Sequence, residues 1–229
     1  SAAWLLQKAH KVRVYEKESR IGGHCNTVDV PSPHQIVPID TGFIVFNEQN
    51  YPNFSALLKH FDVAVKNSEM SFSASLDNGD FEYSGTSLNG LFGQRRNIFR
   101  PRFWKMIFGI YRFYQHAPQI LEDSNQEEIS LGQFLKLNKY GDSVVNDHLF
   151  PMGSAIWSSA ISEIEKYPAR SFVSFFKNHG LLKIRNRPQW KTIVGGSREY
   201  VKSLVGTLKQ DVRFGGVKSI KRGEKEVFI

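Results

Sequence analysis

Apolar positions in this chain first recur at a helical spacing, then at a strand spacing, and become durably helical only in the middle third. Residues 2–9 place Ala3, Trp4 and Leu6 so as to predict a short helix with these side chains turned inward. Val12 and Val14 alternate with polar neighbours, which predicts a strand over 11–16 ending on Glu16. A turn follows over 19–26, residues 27–30 are extended, and Pro31-Ser32-Pro33 interrupts them. Residues 36–46 are mostly apolar and extended, with Gly42 marking a bend or a place where backbone meets a ligand. Tyr51-Pro52 opens a helix that runs to about His60.

The pattern then changes. Residues 71–76 alternate, Asp77-Asn78-Gly79-Asp80 supplies a tight turn, and Phe81-Glu82-Tyr83 returns, which predicts a β-hairpin. Phe103, Ile107, Ile110, Tyr114, Ala117 and Leu121 recur at three and four, predicting a long helix that Pro118 kinks near its end. Ser130 is placed to cap a helix over 131–137, and Ser143 the next one towards Phe150. Two further helices are expected over 154–166 and 169–178, divided by Tyr167-Pro168. Near the end, residues 190–197 lead through Gly195-Gly196 into a helix containing Tyr200, Leu204 and Leu208. Strands are expected at 212–214, 217–220 and 227–229.

Length and composition narrow this picture. A chain of 229 residues with 41% hydrophobic content can fill one large core or two modest ones. No apolar run approaches the roughly 20 residues of a spanning helix. Cys25 is the only cysteine, which forbids an intrachain disulfide and suits a reducing compartment, so a cytoplasmic location is expected. A formal charge of +8 fits an anionic partner, whether a cofactor pyrophosphate, a membrane surface or nucleic acid. Nucleic acid ranks last, because the cations are spread along the chain and no nucleic-acid motif accompanies them. The chain opens within a helical period and closes on a strand pattern, and the expectation is a piece of a longer protein.

The candidate chemistry lies near the start. A helix, a strand and a terminal Glu16 form the second half of a dinucleotide-binding βαβ unit, in which the carboxylate takes the ribose hydroxyls of an adenosine. Gly22 and Gly23 let backbone approach a pyrophosphate, and Arg20 can offset its charge. Asp40 is a strand-end residue expected to bond backbone rather than act as a general base. Cys25 reads as a small buried apolar residue, and no metal site is expected. The other histidines, His148 among them, default to surface or helix-face roles.

Three separated segments together, Glu16 with Arg20-Ile21-Gly22-Gly23-His24, then Asp40-Thr41-Gly42-Phe43, then Trp190 with Gly195-Gly196-Ser197, resemble the FAD-dependent amine oxidoreductases. That group includes flavin-containing amine oxidases and phytoene desaturases. The resemblance implies an α/β fold: an incomplete Rossmann-like FAD-binding domain over 1–60 and 190–229, and an inserted, mainly helical α+β substrate domain over 61–189. It implies FAD as cofactor, with Glu16 on the ribose and Arg20, Gly22, Gly23 and His24 along the pyrophosphate and ribityl path. Thr41, Gly42 and Phe43 would meet the flavin ring, Gly42 and Phe43 by backbone, and Val217 the adenine. Trp190 and Gly196 would lie on the substrate side, with Trp190 equally able to be plain packing. Many relatives have Arg where this chain has His24. The family's first Gly-rich loop and its late Gly-Asp segment fall outside the 229 residues.

The implied reaction is hydride removal from a C–N or C–C bond of a small or lipid-like substrate. No catalytic residue is assigned. The alternatives are a lipid or isoprenoid desaturase or isomerase of the same fold, and a non-catalytic scaffold protein that keeps it. Residues 95–105 mix cations with Phe99, Phe103 and Trp104, as at a membrane surface. A basic loop leading into a core-facing helix is the preferred account of that segment.

Overall fold

The computed structural model describes residues 1–122, 128–183, 186–208, 212–223 and 227–228. The chain divides into two compact units. One is discontinuous, Ser1–Glu69 with Gln189–Ile229, and the other is the intervening Met70–Pro188. The first boundary falls later than residue 60, because Val65–Ser68 is a strand paired antiparallel with Trp190–Ile193.

In the discontinuous unit, Val14–Glu16 pairs in parallel with Val212–Phe214, register Val14↔Val212. Thr27–Pro31 and Ile36–Asp40 form an antiparallel ribbon that matches Thr27 with Asp40. The opening helix is Ala2–Leu6, shorter than expected, and Leu6 is exposed rather than turned inward. Trp4 instead packs edge-on against Phe61 at 5.2 Å. The helix Pro52–His60 starts with proline in its first turn, where no amide hydrogen is needed. Its buried Leu58 meets Phe46 and Ile193 in a small core, flanked by Phe43, Phe54 and Tyr200. Helix Arg198–Gly206 follows the Gly195-Gly196 turn. Residues 217–220 are not a strand; the pairing lies further on, between Lys221–Arg222 and Val227–Phe228. The expected strand residue Ile229 lies outside the described residues.

The Met70–Pro188 unit is mainly helical. Its hairpin pairs Ser73–Leu76 with Phe81–Ser84 across a turn at Asp77–Gly79. Helix Pro101–His116 passes into a 3-10 turn, Ala117–Leu121, at the expected proline. Ser130 caps Leu131–Leu137 in a capping box with Gln133. Ser143 is not a cap: helix begins at Asp142, widens to a π turn over Val145–Leu149 and continues as Phe150–Trp157. Ser158, at φ 50°, ends that run and divides the expected 154–166 helix from Ile161–Lys166. Phe113, Leu131, Leu149, Ile164, Phe172 and Phe176 form the centre of its core.

The Pro101–His116 helix is apolar on two faces. Phe103, Met106 and Phe113 are buried, as the preferred account of this segment requires. Trp104, Phe108 and Tyr111, spaced four and three apart, remain exposed on another face.

Candidate functional site

The carboxyl end of the parallel pair is where the first candidate residues fall. Glu16 closes its strand, and its carbonyl accepts the Gly215 amide at 2.8 Å. Glu16 Oε1 accepts the Glu18 amide at 3.0 Å, which fixes the carboxylate over the start of the turn. Gly22 and Gly23 both take positive φ, 132° and 58°. Around Gly23 and Gly215 a side-chain carbon would find no atom within 4 Å, so both backbones are unobstructed at the edge of the parallel pair. Arg20 braces the turn by donating to the Gly23 carbonyl at 2.8 Å and the Cys25 carbonyl at 3.4 Å.

This turn is stitched to the second segment by backbone. The His24 carbonyl accepts Phe43 N–H at 3.1 Å, and the Asn26 carbonyl accepts Thr41 N–H at 2.9 Å. Asn26 Nδ2 also donates to Thr41 Oγ1 at 2.8 Å. Gly42 has to be glycine here, because a Cβ would overlap the His24 carbonyl oxygen. The His24 imidazole is exposed, and Phe43 packs edge-on against Phe54 at 5.2 Å.

The third segment is held by Asp40. Its carboxylate accepts the Ser197 amide at 2.9 Å, the Ser197 hydroxyl at 2.8 Å and the Thr27 hydroxyl at 2.6 Å. Thr27 Oγ1 in turn accepts Arg198 N–H at 3.1 Å. A carboxylate so placed satisfies the Ser197 amide at the start of helix Arg198–Gly206 and opposes its positive end. Asp40 thus bonds backbone, as expected, but across the sequence rather than beside itself. Gly196 has a packing reason to lack a side chain: a Cβ would run into Thr27. Trp190 is buried at the start of its strand. Val217 is exposed in the loop after Gly216, so the strand expected to carry it is replaced by loop.

Sequence reasoning missed two contacts. Cys25 is half-buried, and its Sγ meets the Tyr200 hydroxyl, so it is a polar partner and not simply an apolar filler. Burial, followed by the bond to Cys25, raises the Tyr200 hydroxyl above the ordinary tyrosine range. A cleft of about 350 Å³ lies beside this pair, lined by Trp4, Val14, Ile21, Phe54 and Leu204. Its apolar wall is unsuited to a pyrophosphate, whereas the open glycine edge offers amides and no side-chain obstruction.

The other miss lies in the Met70–Pro188 unit. His148 is buried on the π turn, so of its two default readings the surface one is excluded. The Tyr83 hydroxyl donates to the Asp147 carbonyl at 2.7 Å and lies 2.9 Å from His148 Nδ1. With that hydroxyl proton committed, Nδ1–H donates back to tyrosine and Nε2 is the bare nitrogen, without a partner. Burial, assisted by the positive charge of Arg187, pushes the imidazole down to about 4. Arg102 grips the Asp147 carboxylate through two bonds, at 2.7 and 2.8 Å, and reaches Asp77 in the hairpin turn. These bonds are internal and brace the unit; no strand periodicity or helix stripe announces them.

Comparison with known proteins bears on the family and the fold. The sequence profile described as flavin containing amine oxidoreductase matches residues 1–228. No curated protein matches. A putrescine oxidase variant, solved in a structure-based redesign of cofactor binding, superposes with a TM-score of 0.64 at 18% identity, over 99% of this chain and 50% of that one. The wild-type enzyme bound to putrescine gives a TM-score of 0.60 at 17% identity, over 99% and 50%. At such identities the likeness shows the fold. The chain spans about half the length of these structures.

Proposed function

Because the chain belongs to the flavin-containing amine oxidoreductases, whose cofactor is FAD, we propose that its full-length protein oxidises a C–N bond of an amine. FAD supplies the hydride acceptor in such chemistry, and the protein's part is to hold and orient. Unit Ser1–Glu69 with Gln189–Ile229 is read as a Rossmann-like cofactor domain and Met70–Pro188 as the substrate domain. Glu16 would take the ribose hydroxyls. The amides at Gly22, Gly23 and His24, with Arg20 beside them, would take the pyrophosphate and ribityl path. Thr41, with the backbone of Gly42 and Phe43, would meet the flavin ring, and Val217 the adenine. The carrying observation is that segments far apart in sequence are bonded to one another, and that Gly23 and Gly215 leave the backbone open at the end of the parallel pair.

The amine reading is favoured by the neighbour solved with putrescine bound. Hydride removal from a C–C bond of a lipid-like substrate is the second reading, favoured by the exposed aromatic face of helix Pro101–His116. A yellow full-length protein whose flavin absorbance bleaches with an amine supports the first, and bleaching only with a lipid supports the second. A colourless protein that takes up no FAD would overturn both and leave the scaffold. Within the site, Glu16→Ala is expected to reduce flavin retained after dialysis at least tenfold, about 1.4 kcal/mol or more, with circular dichroism unchanged. Undiminished flavin content would remove Glu16 from the ribose.

A further inference from the structure

We propose that the exposed aromatic face around helix Pro101–His116 docks on an anionic lipid bilayer surface. Phe99 is 87% exposed, Phe108 66% and Tyr111 56%, and Trp104, also exposed, lies one helical turn before Phe108. Trp104 donates its Nε1–H to the Ile98 carbonyl at 2.8 Å, which seats the Arg95–Phe99 turn beside the helix. Its ring also meets Phe108 at 6.2 Å and Phe92 at 6.1 Å. Trp104 and Phe108 thus form an exposed aromatic pair, with Tyr111 a turn further along the helix and Phe99 in the turn that Trp104 seats. Among the described residues the helix buries its Phe103, Met106 and Phe113 face, and the second face enters no core.

Charge selects the occupant. Between Glu82 and Glu122 the chain carries Arg95, Arg96, Arg100, Arg102, Lys105 and Arg112 and no acidic residue. Arg96 and Arg100 pair with Asp80, and Arg102 with Asp77 and Asp147. The remaining three stay free of carboxylates among the described residues. Arg95 donates to the Asn89 amide oxygen at 3.1 Å, and Arg112 to the carbonyls of Asn138 and Lys139 at 2.7 and 3.1 Å. Lys105 lies exposed one position from Trp104.

Aromatic side chains flanked by uncompensated cations match the layering of an anionic membrane: phosphate and carboxylate outside, acyl chains just beneath. A second copy fits less well, since pairing this face with itself would bring like charges together. No helix among the described residues is long and apolar enough to cross a membrane, so the contact is made from the surface. It is independent of which substrate the protein oxidises.

Sedimentation of the 229-residue chain with vesicles tests this, using phosphatidylcholine alone and phosphatidylcholine with phosphatidylserine at about 3:1. Binding is expected to the serine-containing vesicles and to fall about tenfold when salt is raised from 0.1 to 0.5 M, as charges become screened. F99S/F108S is expected to lower the partition coefficient at least tenfold. Both side chains are exposed, so its thermal midpoint should stay that of the parent chain. Failure to bind vesicles, or binding that the double substitution leaves unchanged, would overturn the proposal. So would a concentration-dependent dimer abolished by F99S/F108S, which would assign the face to a second copy.

Discussion

Phe81, Phe103, Phe113, Phe172, Phe176, Leu131 and Leu149 head the large side chains removed completely from solvent in the described residues, and all belong to Met70–Pro188. The discontinuous unit adds Phe46 to that group. It leaves Val28, Val30, Ile36 and Ile39 of its ribbon exposed, and is joined largely through carbonyls, amides and one carboxylate. Apolar burial scales with area and is indifferent to direction, so it makes a stable body. Hydrogen bonds fix direction, and an edge that must present backbone to a ligand depends on them. Among the described residues, apolar burial thus carries the inserted unit, and directed hydrogen bonds join the segments of the discontinuous one.

That contrast orders the effects of substitution. The largest is expected for Phe172→Ala. Phe172 stacks on Phe176 at 4.3 Å and meets Phe113 at 6.3 Å, fully buried, so truncation leaves a cavity costing about 3–5 kcal/mol. Urea unfolding of the chain measures it. A loss below that of Asp40→Asn would break the comparison.

His148 comes next and gives the inserted unit a pH dependence. Its folded value of about 4 lies below the ordinary 6.5, so the fold favours the neutral ring. The associated stability is fully present above pH 6.5 and is lost as pH falls from there towards 4. The loss is about 3 kcal/mol. Urea midpoints across that range should slope downward in acid, and His148→Gln should flatten the slope. Arg102, Arg187, Asp147 and Tyr83 are retained in that variant, so the difference between the two profiles isolates the imidazole. Identical slopes would remove His148 from the account.

Asp40→Asn should cost less, about 1–3 kcal/mol, since the shape is kept while a charged acceptor of several bonds becomes a neutral one. It should, however, loosen the Gly195-Gly196 turn. Faster amide exchange at Ser197 and Arg198 would be the signature, and unchanged exchange there would mean the carboxylate is dispensable. Lys166→Ala sets the lower bound: its pair with Glu163, at 3.4 Å on the surface, is expected to move the midpoint by less than about 0.5 kcal/mol.

Local signals made much of this legible beforehand. Ser130 as a cap, the Asp77–Gly79 turn and the three-four period of Pro101–His116 each act within a few residues, and each element formed where expected. Strand Val65–Ser68 was not foreseen because its partner lies beyond the entire inserted unit and its own residues are mostly polar. The π turn at Val145–Leu149 and the left-handed Ser158 leave no mark in an apolar pattern, as neither position is a glycine or proline. Residues 217–220 read as a strand in sequence, yet Val217 and Ile220 stay exposed among the described residues. In the site, Gly22 and Gly23 were legible through the backbone angles they permit. Cys25 with Tyr200 and Asp40 with Ser197 were not, since ordinary side chains carry no sign of a distant partner.

The pairing of Ser68 with Trp190 carries a consequence for how such a chain can change. Neighbouring antiparallel strands with adjacent ends are ordinarily joined by a turn of a few residues; here Met70–Pro188 leaves and returns at the tip of what is otherwise a hairpin. Lengthening an excursion from such a tip costs only logarithmically in chain entropy. The length of what is inserted there is therefore nearly free to vary while the ladder beneath keeps its alignment.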